Sequence, residues 1–187
     1  MAGFFTTSHI STDRPEAVSV AKCGSCGLYK GCKTPKMEVI GRGRSGILVV
    51  GESPDSEDDH FGEHFSGVHG DVVKSALRSG GVSPQRTWMT NAVICNTRSE
   101  DPPTIKQIEY CQPNLRKTLE TLKPNVVITL GKAPLTSIVK RYWKADVGTL
   151  DRWVGWKIPT GDFWLCPTYH PAQLEDLKNT LMTKEFE

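Results

Sequence analysis

The chain has 187 residues, of which 37% are hydrophobic and 24% are charged, a balance typical of one globular domain with its own apolar core. No apolar run reaches the roughly 18 to 20 residues that a membrane helix needs. The first residues also lack the layout of a signal peptide, so we expect an intracellular protein without membrane association. The net charge of +2 is too small to indicate nucleic-acid binding by itself.

The predicted elements alternate between strands and helices. Residues 1–20 carry Ser, Thr and Pro with little apolar periodicity, which predicts a mobile arm before a single domain over residues 21–187. Apolar runs predict strands over residues 46–50, 87–95, 125–130 and 163–168. Helical spacing predicts helices over residues 71–78, 104–122 and 133–142.

Local signals support the helices and indicate the fold class. Thr104 and Gln107 have the spacing of a capping box, Pro134 suits a first helical turn, and Pro113 predicts a kink. The strands are almost wholly apolar, which is typical of a parallel sheet covered on both faces. We therefore predict an α/β fold, a three-layer αβα sandwich around a mainly parallel four-stranded sheet. Ligands of such sheets bind beyond the carboxyl ends of the strands.

Structural disulfides are rare in intracellular proteins, so we consider the spacing of the six cysteines as that of a metal site. Cys23 and Cys26 form a CxxC pair, while Cys95 and Cys111 would join them only in the folded chain. Four thiolates can bind zinc or an iron–sulfur cluster, and their number does not separate the two. Unrelated buried thiols are the alternative interpretation.

Polar residues accompany the carboxyl ends of three predicted strands. An acidic loop over residues 51–59 follows the first strand, Asn91 lies in the second, and His170 follows the last. Taken singly, each has an ordinary structural explanation: a solvated loop, an amide satisfied by a neighbouring loop, and a satisfied histidine. Their shared position makes them candidates for a site.

Taken together, the motifs resemble the family 4 uracil-DNA glycosylases, the iron–sulfur branch of that superfamily. The resemblance extends from about Cys23 to Ala172. In chain order its motifs are Cys23-x-x-Cys26; Gly51-Glu52-Ser53-Pro54 with Glu57-Asp58; Phe65 with Gly67; Thr90-Asn91 followed by Cys95; Cys111-x-Pro113; Leu130-Gly131-Lys132-Ala133; and Pro167-Thr168-Tyr169-His170-Pro171-Ala172. No single motif is specific, whereas all of them in the family's order and at similar spacing are.

The resemblance implies a [4Fe–4S] cluster with a structural role, tying the amino-terminal segment to the sheet. Its ligands would be Cys23, Cys26, Cys95 and Cys111. The remaining two cysteines would have no part in it.

The resemblance also implies a pocket for a nucleotide swung out of the DNA. Phe65 would stack on the base, Asn91 would read the uracil edge, and His170 would donate to the uracil O2 atom. Ser53 belongs to the same base-binding group.

Two carboxylates complete the site that the resemblance implies. Asp58 occupies the family's acidic catalytic position with a shorter side chain than the usual Glu, and Glu52 matches a second acid. We expect Asp58 to activate water and Glu52 to support it.

The chain departs from the family pattern at four places. Asp55 replaces the usual Gly, and His64-Phe65-Ser66-Gly67 replaces Pro-Phe-Val-Gly. Residues 96–100 replace a proline-rich basic turn, and residues 173–176 replace a leucine-rich turn with arginine. The acids added by these changes repel phosphates.

Two functions are therefore expected. The first is excision of uracil, or of a related deaminated or modified pyrimidine, from DNA by a monomeric glycosylase. The alternative is a glycosylase-like DNA-binding or accessory protein with weak or no excision activity, serving a replication or DNA-modification complex. A protein partner from replication or repair is compatible with both.

Overall fold

The computed structural model describes residues 21–99 and 101–173. Within them the helices are α1 (Cys23–Cys26), α2 (Ser56–Phe61), α3 (Val68–Ser79), α4 (Ile105–Leu122) and α5 (Lys132–Tyr142). The strands are β1 (Ile47–Gly51), β2 (Trp88–Asn91), β3 (Val126–Leu130), β4 (Ile158–Pro159) and β5 (Trp164–Thr168). Short 3-10 turns lie at Leu28–Gly31, Pro84–Arg86 and Leu150–Arg152. The predicted arm over residues 1–20 and most of the acidic turn over residues 173–176 lie outside the described residues.

The strands form one sheet in the order β2-β1-β3-β5-β4. β1 pairs in parallel with β2 and β3, β3 pairs in parallel with β5, and β4 is antiparallel to β5. The predicted α/β fold with a mainly parallel sheet is confirmed, but within the described residues the sheet has five strands rather than four. β4 has two residues, too few to produce a periodic signal in the sequence.

The second strand is shorter than predicted, because β2 ends at Asn91 and does not continue to Cys95. Beyond that point the N–H groups of Ala92 and Val93 donate to the carbonyls of Gly51 and Glu52, at 2.8 and 3.0 Å. The chain thus stays bonded to the last residue of β1 and to the first residue of the loop after it, although it no longer forms a strand. As a result, Asn91 lies at the carboxyl end of its strand.

The helix boundaries agree closely with the predicted ones for α4 and α5, while α3 begins three residues earlier, at Val68. The capping box of α4 is confirmed: Thr104 Oγ1 accepts from Gln107 N at 3.3 Å, and Gln107 Oε1 accepts from Thr104 N at 2.8 Å. Helix α4 continues across Pro113 without interruption. The four-residue α1 and six-residue α2 were not predicted, since neither spans two helical turns.

Apolar residues cover both faces of the sheet. Leu48 and Val50 of β1 pack in one cluster with Leu115 of α4 and Ile138 of α5. Their neighbour Val49 belongs to a second cluster with residues of α3. Successive residues of a strand face opposite sides of a sheet, so helices lie on both sides, in the three layers predicted. Among the described residues, no helix is long and apolar enough to span a membrane.

Candidate functional site

A cleft of about 1300 Å³ opens beside the carboxyl ends of the parallel strands. Its walls contain all the residues to which the sequence analysis assigned base binding or catalysis: Glu52, Ser53, Asp58, Phe65, Asn91 and His170. This is the edge at which open parallel sheets bind ligands. The fold therefore brings together side chains that are far apart in the sequence.

The aromatic residue of the cleft is held by a buried carboxylate. Phe65 has a φ of 60°, a left-handed conformation that is uncommon for a side chain of this size. In the same turn, Ser66 donates to Asp58 Oδ1 from its backbone N at 2.7 Å and from its Oγ at 2.9 Å. Burial raises the pKa of Asp58, and the hydrogen bonds from Ser66 oppose that shift. Asp58 thus fixes the turn that presents Phe65.

A glycine forms the floor of a recess between Phe65 and Asn91. A Cβ atom added to Gly51 would lie 2.2 Å from Asn91 Oδ1 and 3.0 Å from Phe65 Cζ. Because Gly51 has no side chain, the Phe65 ring and the Asn91 Oδ1 atom can both lie close to the end of β1. The recess therefore offers one aromatic surface and one hydrogen-bond acceptor.

The Asn91 amide is bonded to a histidine for which the sequence analysis proposed no role. Asn91 Nδ2 lies 2.9 Å from Nδ1 of His64, and the His64 side chain is fully buried. Burial lowers the pKa of His64 to about 4, so its ring is neutral at physiological pH. Its second nitrogen, Nε2, makes no hydrogen bond with the described residues.

Glu52 lies between the cleft and the start of α5. Its Oε1 atom accepts from Ala133 N at 3.2 Å, and a Cβ on Gly131 would lie 2.4 Å from the same oxygen. Burial raises the pKa of Glu52, while the backbone N–H groups of Ala133 and Lys132 oppose the shift. A carboxylate at a helix N-terminus is stabilised by the unpaired N–H groups there. Glu52 therefore stabilises α5 in addition to lining the cleft.

His170 is neutral and has a defined orientation. Burial and, next, the charge of His69 lower its pKa to about 4, while Asp55 opposes the shift. The ring centroids of His69 and His170 are 5.5 Å apart. His170 Nδ1 accepts from Ala172 N at 3.3 Å, which places the hydrogen of the neutral ring on Nε2. Nε2–H is thus the donor that His170 can offer to a ligand.

Two aspartates of the acidic loop have a structural role, because their carboxylates accept hydrogen bonds from backbone N–H groups. Asp55 Oδ1 caps α2 by accepting from Asp58 N at 2.8 Å. The carboxylate of Asp59 accepts from the backbone N atoms of Lys33 and Thr34, at 2.9 and 2.8 Å. The loop remains strongly charged nonetheless. Among the described residues, the acids lining the cleft are Glu52, Asp55, Glu57, Asp58, Asp59 and Asp101, and the lysines and arginines are Arg98 and Lys132.

A second, smaller cavity contains four of the six cysteines. Its lining includes Cys23, Cys26, Cys95 and Cys111. Two of the sulfurs accept hydrogen bonds, Cys95 from Lys36 N at 3.3 Å and Cys111 from Asn114 Nδ2 at 3.4 Å. Among residues 21–99 and 101–173, no three His, Cys, Asp or Glu side chains stand close enough to hold one metal ion.

Comparison with known proteins decides the family. The sequence model of the Uracil DNA glycosylase superfamily matches residues 39–187. The chain belongs to this superfamily. The resemblance found in the sequence motifs is thereby confirmed.

Several proteins with sequences similar to this chain are named Type-4 uracil-DNA glycosylase. The protein from Archaeoglobus fulgidus is 28% identical over 177 residues, which cover 90% of this chain and 84% of that protein. The protein from Pyrobaculum aerophilum is 30% identical over 174 residues, 90% of this chain and 86% of that protein. The protein from Saccharolobus solfataricus is 30% identical over 162 residues, 83% and 74% of the two chains.

The cleft of this Uracil DNA glycosylase superfamily member also contains features that the sequence did not predict. His64 was noted only as a replacement for proline, and its contact with Asn91 spans 27 residues, so no local pattern indicates it. His69 is a single histidine on α3 whose spacing carries no signal for a contact with His170. The bonds from Ser66 to Asp58 likewise depend on the folded turn.

Proposed function

We propose that this protein is a DNA glycosylase that hydrolyses the N-glycosidic bond of uracil, or of a related deaminated or modified pyrimidine, in DNA, as the first step of base excision repair. The observation that carries the proposal is a single cleft holding an aromatic ring, an amide, a neutral histidine and two carboxylates in a superfamily member. The names of the relatives support uracil as the substrate.

Base recognition is assigned to the recess above Gly51. A base rotated out of the DNA would stack on Phe65, a contact worth roughly 1 to 3 kcal/mol. Asn91 Oδ1 lies beside the same ring, where it can accept from the N3–H of uracil. Ser53, in the same wall, would add a hydroxyl contact.

His170 is assigned to the leaving group. Breaking the bond between N1 of uracil and C1′ of the sugar leaves the bonding electrons on the base, and much of that charge lies on O2. The Nε2–H group of neutral His170 can donate to O2 and stabilise it. Deleting a donor of this kind typically costs about 2.7 to 4 kcal/mol of transition-state stabilisation.

Asp58 and Glu52 are assigned to the sugar and to water. The sugar becomes positively charged as the bond breaks, and the carboxylates stabilise that charge. Water adds to C1′ and passes a proton to Asp58; Asp58 then releases this proton to solvent, and the uracil anion takes up a proton, so that the products are the free base and an abasic strand. The hydrogen bonds from Ser66 would hold Asp58 in place during this step.

We assign the second cavity to a [4Fe–4S] cluster. The ligands would be the thiolates of Cys23, Cys26, Cys95 and Cys111. The cluster would be structural, linking α1 to α4 and to the segment after β2. Lys36 N and Asn114 Nδ2 would donate to two of its thiolates, as outer partners of metal ligands do.

One observation favours a second candidate function. The described walls of the cleft carry more acidic than basic side chains, and carboxylates near phosphates weaken DNA binding because the two groups repel each other. A glycosylase-like accessory protein with weak or no excision, acting in a replication or DNA-modification complex, would tolerate such a cleft. In both cases we propose an intracellular monomer whose ligand is DNA, with a replication or repair protein as a possible partner.

Base release from matched oligonucleotides separates the two functions. The purified protein is incubated with single-stranded and duplex DNA containing one uracil, hypoxanthine or modified pyrimidine, and free bases are measured. Release of uracil, faster from single strands because flipping costs less there, is the expected result. Binding without release of any base would replace the glycosylase with the accessory protein.

A further inference from the structure

His64 lies behind the base recess and has no part in the function proposed above. It directly precedes Phe65, and its ring is fully buried against Asn91. A buried polar ring is costly unless its nitrogens are hydrogen-bonded. The 2.9 Å contact between His64 Nδ1 and Asn91 Nδ2 is therefore a strong constraint on both side chains.

The contact defines which nitrogen of the ring carries the hydrogen. An amide nitrogen only donates, so Nδ1 of His64 accepts and the ring hydrogen lies on Nε2. Burial lowers the pKa of His64 and the Met37 backbone opposes that shift, so the ring stays neutral and carries a single hydrogen. The structure thus favours a ring that accepts from Asn91.

The same contact defines which way the amide of Asn91 points. With Nδ2 directed at His64, Oδ1 lies on the opposite side, over Gly51 and close to the edge of Phe65. The second hydrogen of Nδ2 stays available for a ligand. The recess therefore presents an acceptor to the middle of a base edge and a donor to one side of it.

We infer that His64 is a positioning residue that fixes the Asn91 amide with its oxygen toward the flipped base, and so selects bases that carry a ring N–H beside a carbonyl. Uracil and hypoxanthine have this pattern, whereas cytosine has a lone pair at N3 and an amino group beside it. A rotated amide would suit cytosine, but with the ring hydrogen on Nε2 it would place Oδ1 against the lone pair of His64 Nδ1. The inference rests on the glycosylase function proposed above.

A double-mutant cycle tests whether His64 acts through Asn91. His64→Leu removes the acceptor and should lower kcat/KM on uracil about ten- to hundredfold, with a similar fall in the uracil-to-cytosine preference. His64→Gln, whose carbonyl can accept in place of Nδ1, should stay within a few-fold of the wild type. In an Asn91→Ala background, His64→Leu should cause little further loss. Fully additive losses, or an unchanged uracil-to-cytosine preference, would overturn the inference.

A second measurement does not depend on activity or on any variant. Long-range ¹H–¹⁵N NMR of the wild-type protein identifies the tautomer of each neutral histidine. We expect the Nε2–H form for His64; an Nδ1–H form overturns the inference whatever the enzyme does. If the wild type releases no uracil while His64 has the Nε2–H form, the proposed function fails and the hydrogen-bond geometry stands.

Discussion

At the scale of single residues, Asn91 carries base recognition. Asn91→Ala leaves hydrogen-bonding groups of the bound uracil unpaired, at roughly 1 to 3 kcal/mol each. Single-turnover excision should therefore fall by about ten- to several-hundred-fold, while thermal unfolding shows a folded protein. Excision at the wild-type rate would mean that Asn91 is a structural residue only.

The charge of Asp58 can be separated from its structural role. Asp58→Asn keeps an oxygen that can accept from Ser66 but loses the negative charge, so folding should persist while excision falls about 10²- to 10⁴-fold. The control, Ser66→Ala, removes one bond to the carboxylate and should cost about 1 kcal/mol of stability. Wild-type excision by Asp58→Asn would assign water activation to another group.

Burial is the main reason that the pKa of His170 is lowered, and two neighbours modify that pKa with opposite effects. His69 lowers the pKa of His170, and Asp55 raises it. His69→Ala should therefore raise the pKa of His170 above its wild-type value of about 4, whereas Asp55→Asn should lower it. Asparagine also caps helices well, so α2 should remain intact. An NMR titration of the His170 ring measures both shifts, and shifts of equal sign would contradict this arrangement.

At the scale of elements, the cysteine cavity connects α1 to α4. Protein purified without oxygen should be brown, carry about four irons per chain, and lose colour and solubility in Cys95→Ser or Cys111→Ser. Cys166→Ser is the matched control and should keep both, because Cys166 does not line the cavity. Colourless wild-type protein with stoichiometric zinc is the result that would refute the cluster.

The elements also show how far the sequence alone could lead. Long periodic segments such as α4, with its capping box at Thr104, were predictable because their signals are local. The end of β2 was not, since it depends on the bonds of Ala92 and Val93 with the end of β1 and the loop after it, some 40 residues earlier in the chain. The cleft residues were predictable only through the family motifs. The role of His64 was not, because it depends on a contact made across the fold.

At the scale of the whole molecule, the buried histidines predict a pH-dependent stability. The pKa of His64 falls from 6.5 to about 4 on folding, so the unfolded chain binds more protons between these values. Stability should therefore decrease as the pH falls from about 6.5 to 4, by about 3 kcal/mol from His64 alone. Asp58 and Glu52, whose pKa values burial raises, act in the opposite direction at pH values above their ordinary pKa.

Chemical denaturation of the wild type and of His64→Gln at several pH values isolates this contribution. The variant lacks the titrating ring, so its stability should depend less on pH across that window. The contributions of Asp58 and Glu52 are the same in both proteins, so they cancel when the stability of the variant is subtracted from that of the wild type. Identical slopes would show that the His64 ring is not held neutral by the fold.

The central claim is that the cleft beside the strand ends excises a base. Its most direct test is single-turnover incubation with a single-stranded oligonucleotide containing one uracil, followed by mass analysis of the strand and of the released base. We predict one free uracil and one abasic strand per turnover, with a rate about 10²- to 10³-fold lower in His170→Ala. An intact strand after prolonged incubation with wild-type protein, or equal rates for wild type and His170→Ala, would contradict the account.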